Sequence, residues 1–344
     1  MHPRMVVSAL ITVLPISIAI SGPEHLTHIY ELQSKWGADY NFGGIATFAH
    51  LRHVDCLVEK SRKFDVGIIG IPFEAAAGWC AGVRSGPHAI RDASSRQNAF
   101  RGFNHRAGFN PYRSWARIND CGDVQQEPGA DQLSQAFSEL SSRKAATAKE
   151  LRKPIIIAIG GDGASTLPAL RSLKALYHRP IAVVSLGAII DDTGSGDLSD
   201  SNSSIYAGYQ RISTRERNTI RVRDAAFYDG VCSDDIDSLG PEGVASIINS
   251  RVGTMMPVYL RINLNVIDVG LAPGVCEPHV GGWTSREVIR ILRAIEGLNV
   301  IGAEIIGIAP SHDGDGQQTA LAAAQFGYEI LTSIVKRGAT ERTM

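Results

Sequence analysis

The acidic side chains of one glycine-rich stretch are the first candidates for chemistry. Asp191, Asp192, Asp197 and Asp200 lie close together in sequence, and hard cations such as Ca²⁺ bind where several such oxygens converge. Only the spacing of these residues is visible, and a glycine-rich acidic stretch is more often a solvated loop. We therefore interpret residues 191–202 as a surface loop, with metal binding as the alternative.

Two pairs of side chains could act on a substrate. Glu277 and His279 could form an acid–base pair or a new ligand set, but Pro278 separates them and nothing fixes their geometry. Cys80 and Cys276 could be nucleophiles, but the sequence assigns them no histidine partner. We favour the interpretation that Glu277 and His279 are ordinary loop residues. The two cysteines are interpreted as structural or idle thiols.

A glycine-rich turn, Gly160-Gly161-Asp162-Gly163, precedes a predicted helix. Backbone N–H groups at a helix N-terminus can hold an anion. The turn lacks both the lysine of a P-loop and the GxGxxG spacing, so this signal is weak.

The elements that would position these residues are strands and helices in alternation. The short, β-branched apolar runs are typical of strands buried on both faces of a parallel sheet. They cover residues 64–71, 154–159, 181–186, 258–262 and 300–306. Amphipathic helices are predicted between or after them, over residues 130–151, 166–177, 243–251, 285–297 and 319–336. The pattern predicts a three-layer α/β fold with a doubly wound, mostly parallel sheet, in which ligands bind at the carboxyl ends of the strands.

Three loops that follow these strands resemble the signatures of the ureohydrolase (arginase and agmatinase) family. They are Gly160–Gly163, Gly187–Asp191 and Arg261–Gly274, which resemble GGDH, DAHxD and SxDxDxxDPxxAPG. Further similarity lies at residues 70–73, 82–91, 120–123 and 281–284. The layout is most similar to the signal-bearing, agmatinase-like branch. The resemblance implies an arginase-like fold and hydrolysis of a guanidino compound to an amine and urea.

In this family two adjacent Mn²⁺ ions, held by two histidines and four aspartates, lower the pKa of a bridging water towards about 7. Aligned residue by residue, the histidine of GGDH is Gly163 and the histidine of DAHxD is Ile189. The first aspartate of DAHxD is Gly187, whereas its last aspartate is retained as Asp191. The resemblance therefore leaves one of these four ligand positions intact.

The third motif also differs from the family at its metal-ligand positions. Asn263 and Asn265 occupy its two ligand aspartates, and amides keep an oxygen but not the charge. Substrate-positioning residues of the family align with Ser203, His279 and Gly307. A normal binuclear manganese site is therefore not expected. Asp268, later in the same motif, is expected to bond the loop backbone.

These changes predict an impaired or inactive homologue that acts as a binding or regulatory subunit, with manganese absent or weakly bound. The alternative is an active amidinohydrolase with a non-standard metal set, Asp162, Asp191, Asp192 and His279. A third possibility is a pocket that binds a small amine, guanidino compound or anion without chemistry, with Asp162, Asp192, Ser203 and His279 as its candidate residues. Because the family is usually oligomeric, a homo-oligomer or a hetero-oligomer with an active paralogue is expected.

The amino-acid composition limits the classes of partner and metal site that are expected. The formal net charge is -1, with Lys+Arg 34 and Asp+Glu 35, and no basic stripe is present, so nucleic acid is excluded as an expected partner. The number of cysteines is 5 and no CxxC pair occurs, which argues against a zinc cluster. One or two disulfides are expected, with their pairing open.

The beginning of the chain predicts secretion. A short basic start precedes an apolar run, residues 5–20, and small residues fit cleavage after Ser21. We predict a signal peptide over residues 1–21, an extension over 22–40 and a single domain over 41–340, with no membrane segment in the mature form. Asn202-Ser203-Ser204 matches a glycosylation acceptor, although an unused triplet in a polar loop explains it equally well.

Overall fold

A computed structural model describes the fold over residues 45–74, 81–124, 129–147, 153–190, 203–212 and 230–343. The described elements belong to one compact unit, Ile45–Met344. Several predictions concern residues outside these ranges and stay predictions. They are the signal peptide 1–21, the extension 22–40, the acidic stretch 191–202 with Asp191, Asp192 and Asn202, and Cys80.

Eight parallel strands of the described residues form the main sheet, and the apolar runs predicted the parallel arrangement and five of these strands. In chain order they are β1 (Val66–Gly70), β2 (Ile118–Asp123), β3 (Ile155–Ile159), β4 (Ala182–Leu186), β6 (Ile205–Tyr209), β8 (Val231–Cys232), β9 (Pro257–Asn263) and β10 (Asn299–Ile306). A separate parallel pair joins β5 (Ile189–Ile190) to β7 (Arg211–Ile212). The spatial order in the main sheet is β2-β1-β3-β10-β9-β4-β6-β8. The five predicted strands are β1, β3, β10, β9 and β4, which are the contiguous centre of this sheet.

Within the described ranges, six α-helices cover the sheet: α1 (Gly86–Ser94), α2 (Ala130–Ser141), α3 (Thr166–Tyr177), α4 (Asp235–Val252), α5 (Ser285–Ala294) and α6 (Gln318–Thr343). Sequence patterns predicted all of these except α1. The predicted helix 130–151 ends earlier, at Ser141, and α4 begins before residue 243 because a kink at Gly240 (φ 64°), ahead of Pro241, joins two helical segments. No helix in the described part of the chain is long and apolar enough to span a bilayer.

The three-layer architecture follows from the alternation of side chains along each strand. Ile155, Ile157 and Ile159 of β3 belong to the core cluster that contains residues of α1, α4, α5 and α6, whereas Ile156 and Ala158 belong to the cluster that contains residues of α2 and α3. Both faces of the sheet are therefore apolar and helix-covered, which explains why the central strands read as unbroken apolar runs.

A buried ion pair joins α1 to β2. Arg91 is 6% exposed, and its Nε and Nη2 donate to the two carboxylate oxygens of Asp120 at 2.8 and 2.9 Å. Its Nη1 donates to Asp123 Oδ1 at 2.6 Å, and Asp120 Oδ2 also accepts from the backbone N–H of Phe48. The family-like segments 82–91 and 120–123 thus act together as a structural clasp, because a buried charge requires a well-placed partner.

Candidate functional site

The strand order brings the three signature loops together. Strands β3, β10, β9 and β4 are consecutive neighbours and parallel, so their carboxyl ends lie along one edge of the sheet. The loops after β3, β4 and β9 carry the GGDH-, DAHxD- and SxDxD-like sequences. This edge is the candidate functional site.

Two asparagines define the loop after β9. Asn263 ends the strand, and its Oδ1 accepts from the backbone N–H of Asn265 at 3.2 Å. Asn265 is 1% exposed, and its Oδ1 accepts from the backbone N–H of Ala188 at 3.0 Å. A backbone N–H can only donate, so each bond fixes which amide atom is the oxygen. Both aspartate positions of the third motif therefore bond the backbone.

Gly187 faces these asparagines from the end of β4. A Cβ added to Gly187 would lie 3.4 Å from Asn263 Cβ and 3.5 Å from Asn265 Oδ1, which are ordinary van der Waals contacts. Ile189, two residues later, is half-buried in β5 and pairs with β7. The structure thus unites Gly187, Asn263 and Asn265, and leaves room for a side chain at residue 187.

The GGDH-like loop is a turn into a helix. Asp162 Oδ1 accepts from the backbone N–H of Ala164 at 3.0 Å, and Gly163 begins a short 3-10 helix that leads into α3. Gly161 has φ +75°, and a Cβ on it would lie 2.4 Å from the backbone oxygen of Ile71. Glycine is therefore required for this turn, and Asp162 serves it as an N-cap.

Asp268 and His279 lie where two loops meet. Asp268 accepts from the backbone N–H groups of Gly270 at 2.8 Å and Gly281 at 2.7 Å, as the sequence predicted. The backbone oxygen of His279 accepts from Val269, and its side chain is buried, at 5% exposed. Ser203 is half-buried just ahead of β6. Asp268 thus holds the two loops together as a structural residue.

The residues present do not fit a binuclear manganese centre. Of the six family ligand positions, the five that lie within the described ranges carry glycine, isoleucine or asparagine. No group of three or more His, Cys, Asp or Glu side chains within the described ranges is arranged to hold a metal ion. Asp162 and His279, which belong to the alternative metal set, are therefore part of no such group within the described ranges. Glycine and isoleucine offer no ligand atom, and neutral amides do not balance the charge of two divalent cations.

Sequence reasoning missed a buried ion pair beneath this edge. Arg261 on β9 and Glu304 on β10 are 1% and 0% exposed, with Arg261 Nε 3.3 Å from Glu304 Oε1. Glu304 also accepts from Tyr259 Oη at 2.9 Å and from the hydroxyls of Ser165 and Thr166. Burial raises the pKa of Glu304, and the charge of Arg261 opposes that rise. The sequence contained a signal for this pair, because one apolar run carries Arg261 and another carries Glu304. Buried charges require partners of opposite sign.

Cysteine chemistry is structural in the described part of the chain. Cys56 and Cys121 form a disulfide, and both are buried. Cys276 is also disulfide-bonded, which excludes it as a nucleophile in this oxidised state. Cys232 is a free thiol and half-buried.

Fold and loops together are those of the ureohydrolase class, and comparison with known proteins agrees. The arginase family profile matches residues 64–194 and 195–332. A putative agmatinase 3 of Schizosaccharomyces pombe is 33% identical over 86% of this chain and 81% of its own length. Proclavaminate amidinohydrolase of Streptomyces clavuligerus is 29% identical over 87% of this chain and 96% of its own.

Solved structures of this class share the fold. The Streptomyces clavuligerus enzyme superposes with a TM-score of 0.74 at 26% identity, over 87% of this chain and 100% of that one. A hypothetical agmatinase from Burkholderia thailandensis has a TM-score of 0.73 at 22% identity, over 88% of this chain and 93% of that one. The chain belongs to the arginase family, whose agmatinase-like members hydrolyse guanidino compounds and are typically manganese-dependent.

Proposed function

We propose that this chain is a non-catalytic member of the arginase family that serves as a binding or regulatory subunit. The observation that carries the proposal is the Asn265 side chain. At a position where the family has a metal-binding aspartate, this chain has a buried neutral amide whose oxygen accepts from Ala188.

Charge supports the proposal. Two Mn²⁺ ions bring four positive charges, and the retained ligand position, Asp191, supplies one carboxylate. Asn263 and Asn265 accept from backbone N–H groups and offer neutral amide oxygens where the family has carboxylates. The described ligand positions therefore supply no negative charge to balance two divalent cations.

The preserved scaffold supports a binding role. Asp268 still holds the loops, and Arg91 still clasps Asp120. Asp313 caps the final helix through the backbone N–H groups of Thr319 and Ala320. A fold whose structural bonds are intact presents the surfaces of the family without its ligand set. We propose that it joins a homo-oligomer, or a hetero-oligomer with an active paralogue.

We also propose that the protein is secreted. The Cys56–Cys121 disulfide supports this, because disulfides persist mainly in oxidising compartments. Together with the apolar run at residues 5–20, it favours passage through the secretory pathway.

The test combines metal content with urea release on one sample. The purified protein is loaded with Mn²⁺, dialysed and subjected to elemental analysis, and urea release is assayed with agmatine and arginine in the presence of Mn²⁺, Ni²⁺ or Co²⁺. An active agmatinase treated identically is the control. A folded chain with no bound metal pair and no urea supports the proposal. Two metals per chain with urea release would overturn it and favour the non-standard metal set that includes Asp162 and His279.

The subunit role has its own measurement. Co-expression with an active family member from the same cell, followed by affinity purification and light scattering, should give a mixed assembly of defined mass. If the chain purifies only as a monomer and leaves the kinetics of that enzyme unchanged, the regulatory role is wrong.

A further inference from the structure

The candidate site contains a buried hydrogen-bond donor without an acceptor. Asn265 is 1% exposed, and its Nδ2 has no hydrogen-bond partner among the described residues. Buried amide groups in native proteins are almost always paired, with protein or with ordered water. The donor therefore points to something that is held there.

A flip of the amide does not remove the problem. Asn265 Oδ1 accepts from Ala188 N–H at 3.0 Å, so the reversed orientation would set two donors against each other. The bond consequently fixes Nδ2 as the donor end of the amide. Asn263 is constrained in the same way, because its Oδ1 accepts from Asn265 N–H. The oxygens of both amides are engaged by the backbone, so both NH₂ groups remain as donors.

Room for a carbon atom lies beside the Asn265 amide. A Cβ added to Gly187 would be 3.5 Å from Asn265 Oδ1 and would meet no atom closer than 3.4 Å, which is Asn263 Cβ. The position of that Cβ is therefore bordered by the two asparagine side chains, and Asn265 Nδ2 is bonded to the same carbon as Oδ1. The described ligand positions around it carry no charged side chain.

We propose that this space binds a small hydrogen-bond acceptor, a carboxylate or carbonyl oxygen, through Asn265 Nδ2. The ancestral aspartates would have repelled such a ligand and held cations instead. With two of them replaced by amides and one by glycine, the site presents N–H donors in a largely dehydrated setting, which favours an acceptor. The inference rests on the proposed function to the extent that no manganese pair fills the same space.

Thermal unfolding of the full-length protein in EDTA tests the site. Millimolar sodium acetate, at sodium concentration matched with chloride, represents the carboxylate, and acetamide represents the neutral carbonyl. Agmatine, whose guanidinium and amine offer only donors when protonated, is the negative control. Acetate or acetamide should raise the Tm in a saturable way, and agmatine should not.

The decisive variant is Asn265→Asp. It keeps the oxygen that accepts from Ala188 but replaces the donor with a charged acceptor, so acetate affinity should fall at least about tenfold. Asn104→Asp is the matched control, since Asn104 is also buried and accepts from backbone N–H groups, at Arg106 and Ala107. Its acetate response should equal that of the unmodified protein.

A direct measurement covers the case in which a variant fails to fold. In ¹⁵N-labelled protein, the side-chain NH₂ resonances of Asn265 should shift on titration with acetate or acetamide. Absence of any ligand-dependent shift, in both Tm and these resonances, overturns the proposal, as does equal acetate binding by Asn265→Asp. Urea release is not a readout here, so failure of the acceptor site leaves the proposed loss of catalysis separately testable.

Discussion

Asn263 Oδ1 occupies the position in which a side chain on Gly307 would begin. A Cβ added to Gly307 would lie 2.4 Å from that oxygen, and the φ of Gly307 is +84°. By resemblance, these residues stand at a metal-binding aspartate and a substrate-binding glutamate of the family. The residue types at these two positions are therefore coupled in space, because the amide of Asn263 leaves no room for a side chain at residue 307.

Gly307→Ala is expected to destabilise the protein by about 2–4 kcal/mol, because left-handed backbone strain and overpacking both contribute. Gly314→Ala separates these effects, since Gly314 has φ +61° with nothing within 4 Å of an added Cβ. That control should lose only about 1–2 kcal/mol. Urea denaturation measures both. In an Asn263→Gly background the cost of Gly307→Ala should fall to that of the control, and an unchanged cost would refute the coupling.

Restoring manganese binding should require the whole ligand set. The combination Gly163→His, Gly187→Asp, Ile189→His, Asn263→Asp and Asn265→Asp is expected to bind Mn²⁺, because the space at residue 187 accepts a side chain. Elemental analysis after dialysis is the measurement. Asn263→Asp with Asn265→Asp alone is the control and should retain no metal pair. A folded five-fold variant without manganese would show that the edge has changed beyond its ligands.

Arg261→Met is expected to destabilise the fold by about 3–5 kcal/mol, because it leaves the buried carboxylate of Glu304 without its charge partner. Arg261→Met with Glu304→Gln should recover much of that loss. The matched control is Arg290→Met, which breaks an exposed ion pair to Glu242 and should cost at most about 1 kcal/mol. Equal losses for the buried and exposed pairs would contradict this account.

The pH dependence of the Arg261→Met variant follows from the pKa of Glu304. Burial is the main cause that raises this pKa, and Arg261 is the main cause that lowers it. Without Arg261 the folded state binds a proton that the unfolded state has released above about pH 4.3. The variant should therefore lose stability as pH rises from that value through the raised folded pKa, relative to the unmodified protein. Parallel stability curves for the two proteins would exclude Glu304 as the titrating group.

Replacing Cys56 and Cys121 by serine should cost about 4 kcal/mol, because the disulfide closes a loop with a sequence separation of 65. Denaturant unfolding under oxidising conditions measures this. Cys232→Ser, at the free thiol, is the control and should change stability by less than about 1 kcal/mol. If the double variant is as stable as the control, the bridge contributes nothing to the mature fold.

The sequence by itself determined the family and the central sheet. β-branched runs without polar alternation are characteristic of strands covered on both faces, and those runs became β1, β3, β4, β9 and β10. The outer strands β2, β6 and β8 escaped prediction, since they are short or carry polar and glycine residues such as Asn119 and Gly208. The replacement of metal ligands at Gly163, Gly187, Ile189, Asn263 and Asn265 stays a prediction from the alignment of the motifs.

Only the tertiary structure decided how the site is built. Strand order placed Gly187 beside Asn263 and Asn265, and a backbone bond from the loop after β4 set the orientation of the Asn265 amide. The Arg261–Glu304 pair likewise joins neighbouring strands that are far apart in the chain. Local sequence patterns indicate whether a segment is buried, because burial is a property of each segment. The pairing of strands and the direction of side-chain hydrogen bonds depend on which segments lie next to each other. The packing of the whole core determines which segments these are.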